Sequence, residues 1–230
     1  MGHIFPRDNR LETLKHSNVD IKNKSILDYG GNRGNLLEDG METGEILPEN
    51  YTSMDVDLEA LKYIQSHCSA ANTVHYNRYN QIYNPQGEKL LKFPFADNTF
   101  DIVYSFSVNT HSSWEDYVFD ISEMVRVSRG VVYSSILNLS VIKLLHSKRI
   151  KDYGSAVDFN VFNNIDTGLY FVNNDIILDL NENIPEEINF LLTIYNPTWL
   201  IKEINKLGYS ARVLDSHSPK IQSLLEIMDN

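Results

Sequence analysis

The amino-acid sequence predicts an α/β fold: a doubly wound, mostly parallel sheet of about seven strands with helices on both faces, an antiparallel edge strand and a C-terminal insertion or cap. Three observations carry this expectation. Short apolar runs alternate with segments at helical spacing through residues 25–137. The runs at 100–106 and 130–136 are nearly continuous, as strands covered on both faces require. The first run ends in an acid and a glycine-rich turn that leads straight into a helical segment. Right-handed crossovers between such strands wind the chain over both faces of one sheet.

The elements follow in order. Residues 8–19 set Leu11 and Leu14 at helical spacing among charges, so a helix precedes the first strand. Residues 25–27 read as a short buried strand ending at Asp28, and 34–40 as a short helix stopped by Gly40. Residues 41–50 are polar and turn-rich; 51–57 form a second strand that ends in acids. A helix over 57–68 follows, with Asp57 as N-cap and Leu58, Leu61 and Ile64 on one face. Residues 72–77 are a third strand, and 81–99, rich in Pro and Asn, a loop. Strands at 100–106 and 130–136 flank a helix at 114–128 that aligns Tyr117, Ile121, Met124 and Val125. Beyond them come a helix at 139–149 and two β-runs around Asn173–Asn174, a hairpin signal. A capped helix from 196, a stop at Gly208 and a strand to 216 close the sheet as its antiparallel edge.

Composition bounds the function. In 230 residues, 42% are hydrophobic, enough for a core without staples. The net charge of −11 argues against a nucleic-acid or membrane-surface partner. Lys148, Arg149 and Lys151 are the densest basic group and read as a solvated face. The single cysteine, Cys68, permits no disulfide within the chain and suits a reducing compartment. No apolar run reaches the roughly 20 residues of a membrane span, and residues 1–10 show no signal peptide, so a cytoplasmic protein is expected. The histidines are scattered without ligand spacing, so no metal is expected.

The turn "DYGGNRGN" is the informative motif. No register of it gives the G-x-G-x-x-G of dinucleotide sites. Asp28 stands two residues before the first glycine, and a carboxylate there disfavours a pyrophosphate and favours a cationic ligand. Gly30, Gly31 and Gly34 remove side chains where a ligand approaches the backbone.

"ILDYGGNRGNLL" resembles the first motif of class I S-adenosylmethionine-dependent methyltransferases, with Asn32 in place of the middle glycine. Asn fits there if it adopts φ > 0, which it does more readily than most residues. In "MDVD", Asp55 resembles the acid that binds both ribose hydroxyls, with Val56 beside it. Asn77 stands where the family carries an acid for the adenine amino group, with Arg78 next to it. "FPFADNTFDIVYSFSVNTH" is similar to the family's fourth-strand region, which puts Phe106 and Ser107 at the strand's carboxyl end. "ISEMVRVSRGVVYSSI" resembles its E-x-x-R-V helix, glycine and fifth strand, with Ser128-Arg129-Gly130 for Pro-Gly-Gly.

The resemblance implies a single Rossmann-like domain over 1–230: an N-terminal helix (1–24), a cofactor-binding half (25–137), a variable substrate-side insertion (138–195) and a closing helix and strand (196–230). It implies S-adenosyl-L-methionine as cofactor, held by Asp28, Tyr29, Gly30, Gly31, Asn32, Gly34, Asp55, Val56, Asn77, Arg78, Phe106 and Ser107. The methyl acceptor would be an oxygen or nitrogen of a small molecule or a peptide-borne group. His111, in the loop after the fourth strand, is the candidate general base. Tyr29, Asn109 and Trp114 could line the same cleft, and Tyr153 and Asp158 could reach the substrate. Two other readings stand beside this one: a non-catalytic S-adenosylmethionine-binding module, and an NAD-dependent oxidoreductase on a similar sheet. The oligomeric state stays open.

Overall fold

The apolar runs fold as strands whose successive residues serve two different cores. A computed structural model describes residues 10–80, 83–137, 160–161, 169–173, 192–195, 197–214 and 222–230. In chain order these form α1 (Arg10–His16), β1 (Ile26–Tyr29), α2 (Asn35–Glu42), β2 (Tyr51–Asp55), α3 (Leu58–His67) and β3 (Asn72–His75). Then come β4 (Phe100–Ser105), α4 (Trp114–Val127), β5 (Ser128–Leu137), β6 (Asn160–Val161), β7 (Leu169–Asn173), β8 (Leu192–Tyr195), α5 (Pro197–Lys206), β9 (Tyr209–Leu214) and β10 (Gln222–Asp229).

Seven strands run in the order β3-β2-β1-β4-β5-β10-β9. Strands β1 to β5 are mutually parallel. Strand order reverses at β1, between β2 and β4, the place where open α/β sheets bind ligands. The mostly parallel sheet with an antiparallel strand at its closing edge is as the sequence predicts. The sequence assigns that antiparallel edge to the strand after Gly208; this strand is β9, which does lie at the edge but runs parallel to β5, and the antiparallel strand is β10. Strand β10 is antiparallel to both β5 and β9 and lies between them. Glu226 interrupts the apolar run of β10 and hides the strand in the sequence; Arg212 Nε on β9 donates to its Oε1 at 2.6 Å.

Period-two burial separates the cores. Leu27, Val103 and Leu225 pack with Tyr117, Ile121 and Met124 of α4 and with Leu200 and Ile204 of α5. Ile26, Ile102 and Leu224 pack with Leu11 and Leu14 of α1, Leu36 of α2 and Ile64 of α3. The expected N-cap of α3 is present: Asp57 accepts from Glu59 N at 2.9 Å and Ala60 N at 3.3 Å. Leu58 is exposed, and the buried face is Ala60, Leu61 and Ile64.

Two boundaries move for steric reasons. Helix α2 runs through Gly40, where a Cβ would stand 2.5 Å from Ile46 Cδ1. Gly40 is thus a packing glycine, and the chain turns at Gly44, whose φ is +70°. Strand β5 starts at Ser128, two residues before the expected 130, and its pairing with β4 slips between Phe100 and Ile102. A Cβ on Gly130 would stand 2.5 Å from Asp101 O, so the slip needs glycine there.

Strands β6, β7 and β8 form an antiparallel annex. It joins the sheet through Ile194 of β8 at Leu137, past Ser134, the last β5 residue paired with β4. The hairpin's second run (174–180), the helix at 139–149, the basic group at 148–151, Tyr153 and Asp158 lie outside the described residues. No described helix is long and apolar enough to cross a membrane.

Candidate functional site

The corner between β1 and α2 is where strand order reverses. Gly30, Asn32 and Gly34 all have positive φ, at +73°, +50° and +79°. Asn32 thus takes the left-handed conformation that the motif demands of it. The space freed by the glycines is filled by protein. A Cβ on Gly30 would lie 2.1 Å from Val108 Cγ2, and one on Gly31 2.3 Å from Ser53 Oγ. The glycines let the loops after β1 and β4 close on each other, and the backbone itself forms the surface of the corner.

Two acids flank this corner and behave differently. Asp55 ends β2; Asn32 N donates to its Oδ2 at 2.8 Å and Asp57 N to its Oδ1 at 2.9 Å. Each carboxylate oxygen thereby holds one backbone donor and keeps a lone pair for another. Asp28 is fully buried. Arg10 Nη1 reaches both its oxygens at 3.4 Å, and Tyr51 Oη donates to Oδ2 at 2.6 Å. Burial raises the Asp28 carboxyl above its usual range, opposed by the Arg10 charge and the Tyr51 hydrogen bond. Its charge is answered within the protein, so the side chain braces the corner from behind. Arg10 also donates to Gly30 O at 3.3 Å and lies 5.6 Å from the Phe106 ring centroid. Sequence reasoning missed Arg10 and Tyr51. The available signal was spacing, since Arg10 precedes the core residue Leu14 by one helical turn.

Residues 27–132, which hold this corner and both acids, match the protein family described as "Methyltransferase domain". These residues form a methyltransferase domain, and S-adenosylmethionine-dependent methyltransferases are among the solved structures that share the fold. Solved structures agree on the fold. A protein of Pyrococcus horikoshii OT3 is 14% identical, covering 96% of this chain and 90% of its own, with a TM-score of 0.59. The 1,6-didemethyltoxoflavin-N1-methyltransferase of Burkholderia thailandensis, solved with 1,6-didemethyltoxoflavin and S-adenosylhomocysteine, is 11% identical, covering 97% and 80%, with a TM-score of 0.54. The magnesium protoporphyrin IX methyltransferase of Synechocystis PCC 6803, solved with bound SAM, is 10% identical, covering 100% and 86%, with a TM-score of 0.51.

Not every residue singled out from sequence gathers at the methyltransferase's glycine corner. Tyr29 alternates with Asp28 and sends its side chain to the opposite core, where its hydroxyl donates to Asp120 Oδ2 at 3.1 Å. Arg78 is buried there too, 2.8 Å from Asp116 Oδ1 and 3.6 Å from Asp120 Oδ1. Burial lifts the Asp120 carboxyl to about 7, against the pull of Arg78. Asn77 is exposed, and its amide oxygen accepts from Asn84 Nδ2 at 3.1 Å. Val56 is half-buried and its carbonyl lies 3.2 Å from His75 Nε2.

The loop after β4 holds the remainder. Phe106 is buried among the residues facing α1 to α3. Ser107 has φ +60°, donates its N–H to Ser135 Oγ at 2.8 Å and accepts from Gln222 Nε2 at 2.7 Å. Strand β10, absent from the sequence reading, thus helps fix the loop. His111 is half-buried in a short 3₁₀ turn, Asn109–His111, with its ring edge-to-face on Tyr83 at 5.4 Å. Trp114 is half-buried and packs on Tyr117, Tyr195 and Trp199. Among the described residues no group of three or more His, Cys, Asp or Glu has the arrangement of a metal site.

Proposed function

We propose that this chain binds S-adenosyl-L-methionine at the β1 corner and moves its methyl group to an oxygen or nitrogen of a small organic molecule or peptide-borne group. The observation that carries the reading is the Asn32–Asp55 hydrogen bond, which holds a carboxylate with free lone pairs beside a corner surfaced by backbone. When bound, the cofactor supplies an electrophilic sulfonium methyl. Asp55 accepts from the two ribose hydroxyls, oriented by the backbone donors of Asn32 and Asp57. The backbone of Gly30, Gly31, Asn32 and Gly34 meets the amino-acid portion, with Asp28 and Tyr29 setting the corner's position through their buried partners. Val56 and Asn77 border the adenine, Arg78 fixes that segment through its buried ion pairs to Asp116 and Asp120, and Phe106 and Ser107 bound the cleft from β4. His111, in the turn that follows, would take the proton that the acceptor gives up as the methyl carbon exchanges its bond to the cofactor sulfur for one to the acceptor, the electron pair of the broken bond staying on sulfur.

Calorimetry with S-adenosylmethionine and with NAD tests the first half of this reading. Binding of the sulfonium compound and not of NAD is expected; the reverse would overturn it. Incubation with methyl-labelled cofactor and an extract of the source cells tests the second half. A labelled product identified by mass supports transfer, and cofactor binding without any labelled product assigns the chain to binding alone.

A further inference from the structure

Asn109 and Tyr195 leave a paired question at the carboxyl ends of β4 and β5. Asn109 is 1% exposed, and its carboxamide is held at one end only: Nδ2 donates to Ser105 Oγ and Ser134 Oγ, both at 3.3 Å. Its Oδ1 is buried with no hydrogen-bond partner among the described residues. Tyr195, at the end of β8, is fully buried, and its hydroxyl has no partner among them either. The same two residues of α4 and β5 tie them together. Tyr117 Oη donates to Ser134 Oγ at 3.0 Å, and the Tyr117 and Tyr195 ring centroids are 5.4 Å apart. An acceptor and a hydroxyl left open inside one uncharged cluster are costly unless something meets them.

The surroundings narrow what that something is. Asn109, Ser105, Ser134, Tyr117 and Tyr195 carry no formal charge, and the two carboxylates that act on Tyr195, Asp116 and Asp120, are already paired with Arg78, so an ion placed there would lose its hydration without a free counter-charge. Burial pushes the Tyr195 hydroxyl well above its usual range, which keeps it a donor. Trp114 lies edge-to-face on Tyr195 at 6.3 Å and on Trp199 at 5.1 Å, and both indoles are half-buried. Val108, next to Asn109, is the residue that fills the space over Gly30, so this cluster adjoins the cofactor corner.

We propose that Asn109 and Tyr195 form an uncharged anchoring subsite, walled by Trp114 and Trp199, for a neutral planar ring compound bearing an N–H or O–H group. It deepens the acceptor side of the proposed function and rests on that reading for its role in transfer. Asn109 Oδ1 accepts from the ring's donor and Tyr195 donates to a ring heteroatom; the group held there is an anchor and not the atom that is methylated.

Trp114 and Trp199 are the chain's two tryptophans, so intrinsic fluorescence reports this cluster directly. The full chain is titrated at pH 8 with benzimidazole, 1-methylbenzimidazole and benzoate, with and without S-adenosylhomocysteine. Benzimidazole should bind about tenfold more tightly than its N-methyl analogue, the worth of one buried hydrogen bond, and benzoate should not bind. In Asn109→Leu that preference should fall below about threefold with the unfolding transition retained; in Tyr195→Phe both benzimidazoles should bind about tenfold more weakly with the preference kept, because the ring acceptor that Tyr195 serves is present in both. Tyr195→Phe removes a single oxygen and carries the test should Asn109→Leu fail to fold. Equal binding of the two benzimidazoles by the wild type, binding of neither, binding of benzoate, a preference that survives in Asn109→Leu, or undiminished binding in Tyr195→Phe would overturn the subsite. Failure to bind S-adenosylhomocysteine, with the ring preference intact, would count against the proposed function and leave the subsite standing.

Discussion

The backbone N–H of Asn32 donates to Asp55 Oδ2 at 2.8 Å, joining the corner after β1 to the end of β2. Two segments 23 residues apart in sequence thereby share one carboxylate. The left-handed φ of Asn32, +50°, is what presents this N–H to Asp55.

Replacing Asp55 with Ala removes the acceptor for Asn32 and Asp57 and, under the proposed function, for the ribose. Binding of S-adenosylmethionine, measured by calorimetry, should weaken by about 1.5–3 kcal/mol, the range for hydrogen bonds to a charged group. Asp55→Asn should not restore it, because an amide nitrogen would face a backbone N–H on one side.

Gly30→Ala should destabilise the fold as well as the site. The new methyl meets Val108 Cγ2 at 2.1 Å on a backbone at φ +73°. A loss of about 1–3 kcal/mol is expected in denaturant unfolding. Shortening the opposing side chain in Gly30→Ala/Val108→Ala should recover part of it, and no recovery would locate the cost in the backbone angle alone.

Asp120 should make stability fall as pH rises. Its folded carboxyl titrates at about 7, above the ordinary 3.8, so between those values the folded state holds a proton that the unfolded chain has released. Stability at this group is then lost at up to about 1.4 kcal/mol per pH unit until it ionises in both states. Asp28, raised by the same burial, acts in the same direction. Asp101 and Glu123 are lowered and act oppositely, but only as pH falls through their unfolded values near 4. Unfolding free energies between pH 5 and 8 should therefore decline in the wild type and decline less in Asp120→Asn.

Arg126→Lys should loosen the loop that leads into β4. The guanidinium donates to Phe93 O at 3.1 Å, Phe95 O at 2.9 Å and Asp97 Oδ1 at 2.8 Å, and binds both oxygens of Glu123. Lysine's three donors on one nitrogen cannot span these positions. A loss of about 1–3 kcal/mol is expected in chemical denaturation, with faster amide exchange over residues 93–97 as the local readout.

Legibility from sequence followed the range of the forces involved. Asp57, read as an N-cap, caps α3 because a cap is satisfied within three residues. Tyr117, Ile121, Met124 and Val125 lie on the buried face of α4 because helical period alone puts them there. Arg10 on Asp28, Arg78 on Asp116 and Gln222 on Ser107 join residues far apart in sequence, and no local pattern announces them.

The sequence by itself determined the alternation of strand and helix, the left-handed corner at Gly30 to Gly34 and the acid closing β2, since periodicity, glycine and strand ends are properties of short segments. Tertiary structure decided what each acid meets, which strand closes the sheet and which polar atoms are left open beside Trp114. Those outcomes depend on what sheet order brings together: Asp28 pairs with Ser53, two residues before Asp55, so both acids lie on one face, and what separates them is that Arg10 and Tyr51 close over Asp28 within the sheet while Asp55 stands at the end of its strand, where only backbone N–H groups reach it.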